Sequence, residues 1–94
     1  MTEKNDIRLR LRLALEELDP EGNPDDFAEL VRATLETSGD PYGALCTAAF
    51  GQYRQGEMTF FEDWATGRVA PTPIMRRKVV RDLRAHLASG FIGG

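Results

Sequence analysis

The side chains able to do covalent or metal chemistry are few. The chain holds one histidine, His86, and one cysteine, Cys46, forty residues apart. Zinc asks for four nitrogen, sulfur or oxygen ligands, and thiol catalysis needs a nucleophile and a base within hydrogen-bond reach. Neither demand is met by this pair. Adjacent acids at Glu16-Glu17, Asp25-Asp26 and Glu62-Asp63 have the chemistry of a general acid and base, yet acids also gather at helix starts and on solvated faces. Gly51, Gly56 and Gly67 are spaced as helix ends rather than as a loop that cradles phosphate. With no assembled nucleophile, base and orienting group, the sequence predicts no enzyme, no catalytic residue, no cofactor and no metal site. His86, close to Leu83 and Leu87 on a helical wheel, reads as a packing residue.

The elements that carry these residues can be read from their ends. Asn23-Pro24-Asp25-Asp26 sets a capping side chain, proline at the first helical position, and acids where the helix dipole favours them. Phe27, Leu30, Val31, Thr34 and Leu35 then follow the spacing of one buried helical stripe, ending at Ser38-Gly39. Asp40-Pro41 repeats the start, and Tyr42, Leu45, Cys46, Ala49 and Tyr53 form a stripe that runs to Gly56, with Gly51 a weak point inside it. Thr59-Phe60-Phe61-Glu62 has the form of a capping box, opening a short helix with Phe61 and Trp64 on one face and a stop at Gly67. Thr72-Pro73 opens the last helix. There Met75, Val79, Val80, Leu83 and Leu87 gather on one side, and Arg77, Arg81 and Arg84 share the other with Lys78 beside them.

The first segment carries two signals. Ile7 to Leu13 alternates Leu or Ile with Arg, the period of a half-buried strand, while its Leu, Arg, Ala and Glu content favours helix. As a helix capped by Asp6, residues 7–18 place Ile7, Leu11, Ala14, Leu15 and Leu18 on one stripe and leave Leu9 and Leu13 on another flank. That spare apolar flank points to self-association, with Asp19 to Asn23 as the loop that frees the segment. The expectation is an all-α, compact bundle of about five short helices, helix-turn-helix-like, with 7–18 as helix or strand. Its parts are an association segment and loop at 1–22, a helical domain at 23–90 and a frayed tail at 91–94, in which Gly93-Gly94 ends the chain.

A length of 94 residues suits one such domain, and the formal net charge is -3. No run approaches the roughly 20 apolar residues of a membrane span. The start, Met-Thr-Glu-Lys-Asn-Asp, lacks the apolar stretch of a secretory signal, and a lone cysteine agrees with a reducing cytoplasm. Charge is uneven: residues 1–50 hold five basic and eleven acidic side chains, residues 51–94 seven and four.

The order Phe61, Trp64, Gly67, Arg68, Pro71, Arg76, Val80, Leu83 resembles the end of the helix-turn-helix in lambda-repressor-like (XRE-type) DNA-binding domains. In that family a recognition helix closes with an apolar residue, an aromatic and a glycine, followed by a proline and a supporting helix. The resemblance covers about a quarter of the chain. It implies a small bundle that binds duplex DNA, with Thr59 to Trp64 as the second helix of the motif, Thr59 and Phe60 at base-reading positions, and Arg68 on a phosphate-touching loop. Glu62 and Asp63 share that outer face, and no Arg, Lys, Asn or Gln lies between Glu57 and Gly67 to read a base. A second register instead makes residues 59–66 the scaffold helix and 73–88 the recognition helix, presenting Arg77, Lys78, Arg81 and Arg84.

Two functions of different class follow. The first is a DNA-binding transcriptional regulator, of the phage-repressor or antitoxin-like kind, acting as a homodimer on duplex DNA through Arg68, Arg77, Lys78, Arg81 and Arg84. The second is a non-enzymatic adaptor or inhibitor whose acidic N-terminal half docks a basic protein surface.

Overall fold

A computed structural model describes residues 3–19 and 22–93 and, in the first helix, side chains from Leu9 onward. Five helices follow in order: α1 Glu3–Glu17, α2 Pro24–Glu36, α3 Pro41–Phe50, α4 Met58–Ala65 and α5 Pro73–Ser89. The chain is an all-α bundle. Three helix starts are set by a local cap followed by proline. Asn23 accepts from the Asp25 amide at 2.9 Å, Asp40 from the Gly43 amide at 3.0 Å, and Thr72 from the Met75 amide at 3.3 Å.

The other boundaries depart from expectation for identifiable reasons. α3 stops at Phe50 because Gly51 adopts φ +76° and its N–H returns to the Thr47 carbonyl, so Gly51 is the end of the helix and not a flaw within it. Tyr53 therefore lies outside the stripe and is 59% exposed. α4 begins at Met58, ahead of the predicted box, and Thr59 caps nothing. The Tyr42 hydroxyl accepts from the Glu57 amide at 2.7 Å and donates to the Arg54 carbonyl, which pins the chain where α4 starts.

α1 is helical, which resolves the strand alternative, and Asp6 falls inside it rather than at its cap. The side chain of Ile7 lies outside the described residues. Leu11 and Leu15 are fully enclosed in the same core as Phe27, Leu30, Leu45, Phe61, Trp64, Val79 and Leu83, while Leu9 and Leu13 face outward. Residue 22 thus separates no second core: α1 packs on α2 and also meets α5. Nor do residues 91–93 fray. After Gly90, Ile92 turns back into the core with 0% exposure and pairs with Gly39 in an isolated antiparallel bridge. The Asp40 amide donates to the Phe91 carbonyl and the Gly93 amide to the Ser38 carbonyl. A Cβ at Gly39 would sit 2.3 Å from the Phe91 oxygen, so only glycine permits that approach.

α4 packs on α2 through the Phe27–Trp64 edge contact at 5.7 Å, and meets α3 through the ring contacts of Tyr42 with Phe61 and of Phe50 with Phe60 and Phe61. The connections before and after it span residues 51–57 and 66–72, longer than the three or four residues of a helix-turn-helix turn. Residues 37–40 are short enough, but they lead into α3, whose side chains are buried save Thr47 and the half-buried ends. No described helix is long and apolar enough to cross a membrane.

Candidate binding surfaces

The cations assigned to DNA divide into those that face solvent and those the fold itself engages. Arg84 is drawn toward α1, where its Nε donates to the Leu15 carbonyl at 2.8 Å and a second guanidinium nitrogen donates to the same oxygen. That carbonyl belongs to the last turn of α1, whose final acceptors have no partner within the helix, so Arg84 caps a neighbouring helix. Arg81 meets the carboxylate of Asp82 at 3.2 Å. Arg77 is exposed and has a partner, whereas Arg68 is exposed in the connection after α4 and Lys78 is half-buried. Thr59 is exposed. Phe60 leans on the Phe50 and Trp64 rings, with centroids at 5.5 and 5.0 Å.

Arg76, which the resemblance includes only in its residue order, has a role in the fold that the sequence pattern does not assign. It is 7% exposed and donates to the Pro71 carbonyl, closing the connection into α5. Its spacing of three, four and seven residues from Val79, Val80 and Leu83 puts it on the core face of α5, a signal present in the sequence. Arg32 acts in the same way, donating to the Ala65 carbonyl at the end of α4 while pairing with Glu29 at 2.7 Å. Three arginines thus satisfy carbonyls at helix ends or connections.

The opposite charge collects between α1 and α2. A groove of about 300 Å³ is lined by Ala14, Glu17, Leu18, Asp26 and Glu29. Its lining is apolar and acidic, with no cation among the described residues. Glu29 is engaged by Arg32 and by Arg10 at 3.5 Å, and Arg10 also pairs with Glu36. Glu17 and Asp26 make no ion pair among the described residues. Asp26 lies in the first turn of α2, where the dipole favours it. Glu17 is the last residue of α1, where the dipole opposes it and no basic residue of α1's own last turn offsets it, the cation at that end being Arg84 from α5. Nothing local in the sequence shows this groove, because it exists only once α1 folds back on α2.

A third surface surrounds the 51–57 connection. Tyr53, Tyr42, Phe61, Phe50, Phe60 and Trp64 form a continuous run of ring contacts from solvent into the core. Partial burial pushes the Tyr42 phenol above its ordinary value, and the bond from the Glu57 amide works against that rise. His86 is half-buried against the Phe91 ring at 5.0 Å, as a packing residue should be. Among the described residues no group of three or more His, Cys, Asp or Glu is placed to hold a metal ion. Compared with protein-family models, characterised proteins and solved structures, the chain matches none.

Proposed function

We propose that the chain is a non-enzymatic helical adaptor or inhibitor that receives a basic, partly apolar segment of a partner protein along the α1–α2 groove. The observation that supports this reading is the pairing of an apolar lining at Ala14 and Leu18 with the unpaired carboxylates of Glu17 and Asp26. A lysine or arginine entering there relieves the charge that Glu17 adds to the negative end of α1, and apolar neighbours of that cation bury against the groove. The partner acts in the cytoplasm, where the buried Cys46 thiol stays reduced. Titrating a fluorescein-labelled Lys-Leu amphipathic peptide at about 50 mM salt tests it. Binding should weaken several-fold in the Glu17→Gln, Asp26→Asn double variant. Equal binding by both proteins overturns the groove as the site.

A second reading, a DNA-binding regulator, is favoured by one observation. Arg68, Arg77, Lys78 and Arg81 lie on α5 or in the connection leading to it, beside the exposed Ile74. In this reading Leu9 and Leu13 on α1 hold a homodimer across a duplex. Its affinity would fall with salt at a slope near -0.9 per phosphate contact, and would be lost in an Arg77, Lys78, Arg81 triple alanine. Arg84 does not belong to that set, since its removal would disturb α1 directly.

A further inference from the structure

The surface around residues 51–57 holds an arrangement that neither reading uses. The Arg54 guanidinium carbon lies over the Phe50 ring, 4.5 Å from its centroid, and an Arg54 nitrogen stands 3.6 Å from a Glu57 carboxylate oxygen. An aromatic face beside a carboxylate is the environment that recognises a cation, through the ring quadrupole and the opposite charge together. Around this seat the exposed surface is apolar, with Met58, Phe60 and Tyr53 as exposed hydrophobics, and its carboxylate is Glu57. Arg54 is the only basic residue between Asp40 and Arg68.

Arg54 is held in a particular way. Its carbonyl accepts from the Tyr42 hydroxyl and from the Cys46 thiol, the latter at 3.6 Å, so its backbone is anchored. Its side chain is about half exposed and, among the described residues, meets the ring and Glu57 alone. A change of side-chain rotamer therefore vacates the seat without moving the loop.

We propose that the Phe50–Glu57 seat is a recognition site for an arginine side chain of a partner protein, and that Arg54 occupies it as an internal stand-in displaced on binding. The partner is a polypeptide with an exposed arginine next to an apolar residue. Its guanidinium takes the place over Phe50, its apolar neighbour covers Phe60 and Met58, and the released Arg54 turns to solvent. This site is independent of the α1–α2 groove.

The test uses the full chain and a fluorescein-labelled Arg-Leu-Arg-Leu peptide. Arg54→Ala empties the seat, and the peptide should bind about two- to fivefold tighter than to the wild type, the span of an exposed cation–aromatic contact. Arg12→Ala removes an equal charge from a comparable exposed pair with Glu16, at 3.4 Å, and controls for charge alone. The proposal requires Arg54→Ala to exceed Arg12→Ala, and Phe50→Leu to abolish the gain. Phe60→Leu serves as a second ring variant where Phe50→Leu disturbs the far-ultraviolet circular dichroism. In the wild type, ring-proton resonances of Phe50 and Phe60 should shift on titration. Equal effects of the two alanine variants, or shifts confined to Glu17, Asp26 and their neighbours, overturn it; the latter pattern leaves the groove reading standing.

Discussion

The acidic α1–α2 side and the basic α5 side differ less in how much charge they carry than in what the charge does. On the α5 side Arg84 caps α1, Arg76 closes the connection before the helix, and Arg81 meets Asp82. On the α1–α2 side Glu17 and Asp26 line a groove in whose lining the described residues include no cation, although Arg10 and Arg32 reach Glu29 at its edge. A guanidinium reaches across a helix boundary with several donors and takes up stray carbonyls. A carboxylate only accepts, and at the start of α2 Pro24 has no amide donor to offer while Asn23 takes the Asp25 amide. The fold takes up Arg32, Arg76 and Arg84 at backbone carbonyls while Glu17 and Asp26 face the groove, which makes a charge count along the sequence a poor guide to which side is available.

The strongest way to break the comparison is to remove the core both sides share. Trp64→Ala deletes the ring that joins α4 to Phe27 on α2 and should cost about 3 to 5 kcal/mol in urea unfolding, taking both surfaces with it. A mild loss would show that α4 contributes little to the bundle. A sharper cut is Arg84→Ala against Arg81→Ala. Loss of the Leu15 carbonyl's partner should cost about 1 to 2 kcal/mol, whereas Arg81→Ala should stay within about 0.5 kcal/mol. Equal small effects would return Arg84 to the solvent-facing set.

Tyr42 tests a region that belongs to neither side. Its phenol is raised in the folded state, so the neutral form stabilises the fold below the ordinary phenol value of about 10, and that contribution is lost as pH climbs past it. Stability followed from about pH 9 to 11 should decline in the wild type, and Tyr42→Phe should remove that part of the decline while lowering stability at neutral pH. The smallest stability effect is expected from Glu17→Gln with Asp26→Asn, within about 0.5 kcal/mol, since neither carboxylate has a partner to lose. A larger change in either direction would mean that the groove's charge is already balanced within the fold.

What was legible in the sequence is what is local. Asn23-Pro24, Asp40-Pro41 and Thr72-Pro73 fix three helix starts because cap and capped amide lie within three residues. The start of α4 does not follow from the Thr59–Glu62 pattern because the decisive group, the Tyr42 hydroxyl, comes from fifteen residues earlier. Ile92 leaves no local mark because its partner, Gly39, lies across the bundle. The cations suffered most. Periodicity shows that Arg84 avoids the core stripe, but not that the end of α1 stands beside it with an open carbonyl. The acidic groove was invisible for the same reason, being made by two helices and not by either.

An amide chemical-shift map of the full chain distinguishes the α1–α2 groove from α5 as the working surface. The Lys-Leu peptide and a short DNA duplex are added separately at about 50 mM salt. The peptide should move Ala14, Glu17, Leu18, Asp26 and Glu29 while the duplex leaves α5 unmoved. Saturable shifts at Arg77, Lys78 and Arg81 with the duplex, and none in the groove with the peptide, would contradict the groove reading.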